Sequence, residues 1–406
     1  MTKFEKLTTF RPAAGKTFSV AITGDFCPYS AIKVEDVASI CSDIAPTLAA
    51  ADYRIMQFET VLTKGDPEPI LKCGPNIKSD VASSLEFLKT LNIDLTLLAN
   101  NHTGDFGPDA AIETRSILRD AGYATVGMGV DPEDAAKPHC FELGGKKIAV
   151  LNFCENEFGI VREKDYAGSN PLQPYVNMEQ IREAKKTADF VIVTVHGGHE
   201  FFPYPSRRMI DTYRAFVDAG ANLVFNCHTH CVLGTEYYKG VPIFYSPGNF
   251  FFPEKCNELP DMWSGGVLPT FHFDEQGVCA MGLQPYTFTF EKIAPLSPEK
   301  EAIFFKDYNE LSEVIQQPEE LKRLFNIWSV YATDRLAAYI FEGYFPMGFP
   351  PDNKVKGWLL FRNLFNCETH DDATRTYLRL VEQGRIEELK PLFDQVIKPL
   401  QTPAWL

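Results

Sequence analysis

The sequence predicts a layered α/β protein followed by a helical region, and three observations carry that prediction. Short apolar runs alternate with amphipathic stretches from about residue 17 to residue 290, the rhythm of strands covered by helices. Several of these runs end in small polar clusters, as happens where strands leave a sheet at its carboxyl edge. Beyond Pro295 helical periodicity takes over.

The elements follow in order. Residues 18–23 read as a buried strand ending at Gly24-Asp25, and Val34 to Ala50 has helical spacing. Residues 53–58 form a second strand, ending at Glu59; a helix is expected at 81–91 and a strand at 95–99, delivering Asn100-Asn101-His102. A helix over 110–121 is closed by Gly122 as a C-cap. The second half repeats the pattern, with strands at 147–152, 190–195 and 222–225 and helices at 178–187 and 207–219. The strand at 190–195 stops at His196, and the one at 222–225 leads to His228-Thr229-His230. Residues 237–245 read as a hairpin turning at Lys239-Gly240. Strands at 266–273 and 280–290 enclose a turn at 275–277. A helix starts at Ser297, and 319–345 and 371–396 are helical, interrupted by the Gly- and Pro-rich piece 343–357. The expected divisions are an N-terminal extension (1–16), a main domain (17–294) and a helical C-terminal region (295–406).

Composition bounds the function. A net charge of −15 argues against nucleic acid as a partner, because phosphate contacts need a basic face. No apolar run approaches the roughly 20 residues of a membrane helix, and Met1 to Lys16 contains no signal-type stretch. No integral membrane segment is expected, and the 10 scattered cysteines read as reduced thiols of a cytoplasmic protein.

The polar clusters carry the chemistry. Asp25, Glu59, Asn101, His102, His196, His228 and His230 supply two carboxylates, one amide oxygen and four imidazoles, the donor types of a paired-metal hydrolytic centre. Taken singly, Asp25 also suits a helix N-cap or turn, and Glu59 a loop. Together they are more pointed: of 8 histidines, five (His102, His196, His199, His228, His230) fall in three strand-end clusters.

The order Gly24-Asp25, Glu59, Asn100-Asn101-His102, His196-Gly197-Gly198-His199-Glu200, His228-Thr229-His230 and then Tyr238 to Phe250 resembles the CapA-type poly-γ-glutamate capsule proteins of the calcineurin-like metallophosphoesterase superfamily. The resemblance covers roughly residues 17 to 290 and implies a four-layer α/β/β/α sandwich and a metal-dependent hydrolase. It implies that Glu59 bridges two metals, that Asp25 and His230 serve one ion, and that Asn101, His196 and His228 serve the other. His102 is then the catalytic residue beside the substrate, binding no metal and donating a proton to the leaving group or steadying its negative charge. The implied cofactor is one or two divalent ions (Mn, Zn or Fe), and the implied substrate is a phosphoester or an amide-type bond of an anionic small molecule, polymer or precursor. The alternative is a non-catalytic binding or assembly subunit of a capsule-synthesis apparatus. Capsule-synthesis partners, or a homo-oligomer formed through the helical C-terminal region, are expected.

Cys27 stands where the superfamily usually has a histidine, and reads either as a ligand favouring a soft metal or as a packed thiol. Asn226-Cys227 precedes the last histidine pair, where the family often has Gly-His. Glu157, His199, Glu200 and Asn249 are candidate supporting or substrate residues, with Asn156 beside Glu157. Lys72 and Lys78 are candidates for meeting an anionic substrate, and Phe201, Phe202 and Tyr204 for walling the cleft.

Overall fold

A computed structural model of the protein describes residues 2–29, 32–72, 74–160, 166–253, 259–341 and 356–406. The first half runs β1 (Leu7–Thr9), β2 (Phe18–Phe26), α1 (Val34–Cys41), α2 (Ala45–Ala49), β3 (Tyr53–Phe58), α3 (Val81–Thr90), β4 (Leu95–Leu97), α4 (Gly107–Asp120) and β5 (Ala124–Val126). Then come β6 (Met128–Gly129), α5 (Pro132–Ala135), β7 (His139–Leu143), β8 (Lys146–Cys154), β9 (Gly168–Ser169), α6 (Pro174–Lys185), β10 (Phe190–His196), α7 (Arg207–Ala219) and β11 (Leu223–Cys227). The hairpin β12 (Thr235–Tyr238)–β13 (Val241–Phe244) leads to β14 (Asn249–Phe251), β15 (Gly265–Asp274), β16 (Gly277–Thr289) and β17 (Lys292–Pro295). The last helices are α8 (Pro298–Val314), α9 (Pro318–Phe341), α10 (Lys356–Asn366), α11 (Glu368–Glu382) and α12 (Ile386–Leu389). Helix 319–345 is thus seen as far as Phe341, and most of the Gly- and Pro-rich piece 343–357 lies outside the described residues.

Among the described residues the strands form two large sheets. The first has nine strands in the order β1-β16-β15-β2-β3-β4-β5, with β14 beside β2 and β17 beside β16; the second has six, β12-β13-β11-β10-β8-β7. β2 through β5 are parallel to one another, as are β8, β10, β11 and β13. Alternation of side chains makes the layers. Val20, Ile22, Ile55 and Leu97 of the first sheet meet Ile148, Val150, Ile192 and Phe225 of the second in one core between the sheets. Their neighbours point outward: Ala21 and Met56 pack with α1, α3 and α4, whereas Ala149, Leu151, Val191, Val193 and Val224 pack with α6, α7 and the C-terminal helices. The result is a four-layer α/β/β/α sandwich, as the resemblance implies, with Ile327, Trp328 and Leu380 of the helical C-terminal region built into the outer core of the second sheet.

Local signals explain the helix ends. Asp80 caps α3 by accepting from Ser83 N (2.8 Å), Ser206 caps α7, and Gly220 (φ 119°) terminates it in the left-handed conformation. The single helix expected over 34–50 is broken into α1 and α2, because Pro46 starts a new helix and has no N–H to continue the old one. Among the described residues, no helix is long and apolar enough to cross a membrane.

The N-terminal segment is tied to the sandwich by Arg11, which donates two bonds of 2.5 Å to buried Asp274. These bonds hold the Asp274 carboxyl well below its usual range. A depressed carboxylate stabilises the fold fully above its unfolded pKa of about 3.9, and the contribution is lost as pH falls toward the folded value. Arg11→Ala should therefore cost about 2 kcal/mol at pH 7 by thermal or urea unfolding, and the difference from wild type should shrink below pH 4.

Candidate metal centre

The parallel strands of both sheets end at one edge, and the polar clusters meet there. Asp25 lies near the end of β2 and Glu59 follows β3; Asn101 and His102 lie in the loop after β4. His196 ends β10, and His228 and His230 follow β11. Gly24 allows the tight approach beneath them: a Cβ there would sit 1.9 Å from the Gly248 carbonyl oxygen. His228 and His230 both adopt left-handed backbone, with φ of 95° and 53°. Such residues cost about 1–3 kcal/mol each and collect at functional sites. Asp25 Oδ2 accepts from the His228 backbone N–H (3.0 Å), which fixes that turn against the first sheet.

Two overlapping donor groups result, Glu59–His196–His228 and Asp25–Glu59–His230, each with its ligand atoms within 4.8 Å of one another. Glu59 is common to both. Asn101 joins the first group, its Oδ1 lying 3.0 Å from His196 Nε2, while His228 Nδ1 lies 3.2 Å from the same nitrogen. Separations of about 3.0–3.4 Å are those of neighbouring ligands on an ion with bonds near 2.1 Å. In the second group, Asn249 Nδ2 donates to the Trp263 carbonyl (3.0 Å), so its Oδ1 is the acceptor from His230 Nδ1 (2.8 Å). That leaves the lone pair of His230 on Nε2. Trp263 and Phe252 flank the His230 ring at 4.5 and 5.5 Å between centroids.

A cation suits this pocket on physical grounds. Asp25 Oδ1, both Glu59 oxygens and His196 Nδ1 are buried without a hydrogen-bond partner. Burial raises the Asp25 carboxyl to about 7, and burial together with the Asp25 charge raises Glu59 well above its usual range. Burial also lowers His196 strongly, and lowers His230 to about 3. Carboxyls whose charge burial disfavours, beside imidazoles that burial keeps unprotonated, form an electron-pair-rich pocket that a divalent ion would suit.

His102 is placed differently. Its Nδ1 donates to Asp105 Oδ2 (2.7 Å), and its Nε2 faces Glu59 Oε1 at 3.7 Å. Asp105 is fixed in turn by the Ile77 N–H (2.6 Å) and by an ion pair with buried Lys72. Burial lowers the His102 pKa, and the Asp105 charge opposes that shift.

The other candidates divide. Cys27 packs in the core under the helices, 3.8 Å from the Ser79 hydroxyl, with its thiol pushed up to about 12 by burial, and it joins neither donor group. Cys227 packs between the sheets, and Asn226 ties the His228 loop by donating to the Gly197 and Tyr245 carbonyls. His199 points away, enclosed by Phe202, Phe325 and Trp328; neither ring nitrogen is hydrogen-bonded, and Nε2 lies 3.9 Å from Asp372 Oδ2. Of the three aromatic residues, Phe201 approaches His230, whereas Phe202 and Tyr204 belong to the outer core of the second sheet. Glu200 is exposed and lies close to His228 and His230. Lys72 reaches the site but is taken up by Asp105; Lys78 pairs with Asp66 at 2.5 Å.

Glu157 does line the site, accepting from Asn101 Nδ2 at 3.5 Å. Beyond it lies a contribution that the sequence did not announce. The start of α11 reaches this loop: Glu368 accepts from the Asn156 N–H (2.8 Å), and Thr369 donates to Glu155 (2.6 Å). Arg208 spans Glu155 (2.8 Å) and Asp372 (2.6 Å). Asp105 had a local signal, standing three residues after His102; residues 367–372 had none, since they join the site across more than two hundred positions.

Comparisons with known proteins identify the family. The family model described as "Bacterial capsule synthesis protein PGA_cap" matches residues 19–254. The chain is similar to the PGA biosynthesis protein CapA of Bacillus subtilis (28% identical, over 71% of this chain and 76% of that protein). It is also similar to the capsule biosynthesis protein CapA of Bacillus anthracis (29% identical, over 60% of this chain and 59% of that protein). A third relative, 27% identical over 49% of this chain and 55% of its own length, is a probable polyglutamine synthesis accessory protein of Mycobacterium tuberculosis. The chain thus spans less than two-thirds of the length of the second and third of these relatives.

Proposed function

Because the chain belongs to the bacterial capsule synthesis protein PGA_cap family, we propose that it is a metal-dependent hydrolase acting on a phosphoester or an amide-type bond of an anionic polymer or its precursor. The observation that carries this reading is the sharing of Glu59 by two buried donor groups. In it, Asp25, Glu59 and His230 hold one divalent ion, and Glu59, Asn101, His196 and His228 hold the other. Such a pair lowers the pKa of water and stabilises charge on the attacking and leaving oxygens.

The residues divide the remaining work. His102 stands beside the ligands with Nε2 turned toward the site and gives its proton to the leaving atom. Asp105 fixes the tautomer and orientation of that ring, and Lys72 holds Asp105. Phe201, Trp263 and Phe252 keep water from the His230 side. The division at residues 17 and 295, a cytoplasmic setting and capsule-synthesis partners are parts of the same proposal.

The test is direct. Full-length protein stripped with a chelator should lose hydrolysis of a chromogenic phosphodiester or amide panel, and should regain it when Mn²⁺ or Zn²⁺ is returned. The accessory role named for the mycobacterial relative favours a second reading, that of an assembly subunit. Metal held by the donor groups around Glu59, shown by its loss in His196→Ala, with no hydrolysis of any ester or amide would decide for it.

A further inference from the structure

We propose that Glu157, Cys367 and His370 form a separate metal site, of a kind suited to zinc, which clamps the start of α11 to the sandwich. Their ligand atoms lie within 4.8 Å of one another, and none of the three belongs to the donor groups around Glu59. Cys367 Sγ is 3.5 Å from Glu157 Oε1. A tetrahedral zinc with bonds of about 2.3 Å to sulfur and 2.0–2.2 Å to oxygen sets those two atoms about 3.5 Å apart. Cys367 is the residue that precedes α11, and His370 lies in its first turn three residues on, so both face one side.

The surroundings prepare the site. Thr369, Glu368 and Asp372 hold this end of α11 to Glu155, Asn156 and Arg208, which fixes the thiol and the imidazole over Glu157 before any ion arrives. Cys367 is buried, while Glu157 and His370 are half-buried, which leaves an entry path at the rim. The groups facing the thiol are Glu157 and Glu155. A thiolate there needs a cation, and its proton leaves to solvent as the ion binds. Sulfur, nitrogen and oxygen donors together select zinc over magnesium or calcium.

The inference does not depend on the hydrolase reading, and one probe separates the two. The donor groups around Glu59 contain no thiolate, so a thiolate-to-cobalt charge-transfer band reports this site alone. Metal-free full-length protein is titrated with Co²⁺. Wild type should develop the band; Cys367→Ser should lack it and bind one equivalent fewer. His370→Ala should weaken the binding that gives the band by at least about tenfold, the lower end of what losing even an outer-shell partner costs. His196→Ala should keep the band while losing metal elsewhere. A wild type with no band, or a band that survives Cys367→Ser, overturns the site. Should Cys367→Ser fail to fold, unchanged cobalt affinity in His370→Ala overturns it equally.

Discussion

Replacing His102 with alanine is expected to lower kcat by about 10²–10⁴, the range for loss of a positioned acid or base, while the metal content stays that of wild type. The reasoning is geometric. His102 approaches Glu59 at 3.7 Å through Nε2, but its other nitrogen is committed to Asp105, and it belongs to neither donor group. Removing the ring therefore takes away the proton donor and leaves the ligands in place. Steady-state kinetics alongside metal analysis of the same preparation provides the check. A variant that lost its metals along with its turnover would make His102 a ligand, not an acid.

Glu59→Gln should have the opposite profile, with metal content falling by one or two equivalents and turnover falling to background. Glu59 is the residue common to both groups, and it is fully buried with neither oxygen hydrogen-bonded. The same facts predict an inversion of stability. Without metal, burial raises the Glu59 pKa well above its usual range, so at pH 7 wild type must take up a proton on folding, a cost that Gln does not carry, and metal-free Glu59→Gln should melt above metal-free wild type. With metal added, the order should reverse, because only wild type gains binding energy from the ions. Calorimetry of the two proteins with and without Zn²⁺ measures both arms; a variant that melts lower in each condition would show that Glu59 serves the fold and not the ions.

These two residues also mark what could be read from sequence. β3 and β10 were legible almost to the residue, because each is an apolar run too short for a helix and each stops at a polar side chain. Since parallel strands finish at one edge, the residues that end them could be gathered into one site from their order along the chain. Less legible were β1, β7 and β17, whose half-exposed or mixed patterns carry little periodicity, and β14, three buried residues too short to show a period. α4 and α6 begin three and four residues earlier than expected, at Gly107 and Pro174. In each, a proline in the first turn was the missed start signal. Hidden altogether was the docking of α11 on the loop after β8, since nothing near Cys367 in the chain points to Glu155 or Glu157.

The donor atoms come from two sheets: Asp25, Glu59 and Asn101 from the first, and His196, His228 and His230 from the second. The contacts that set their spacing lie well behind them, in the apolar seam where Ile22 and Ile55 face Val150 and Ile192. The Asn152 side chain adds a polar stitch across that seam, accepting from Ala99 N at 2.7 Å just before Asn101. On the proposed function, ion affinity would therefore work as a gauge of sheet-to-sheet registration. A methyl group removed deep in the seam, far from any ligand, would be felt at the edge as a looser grip on metal.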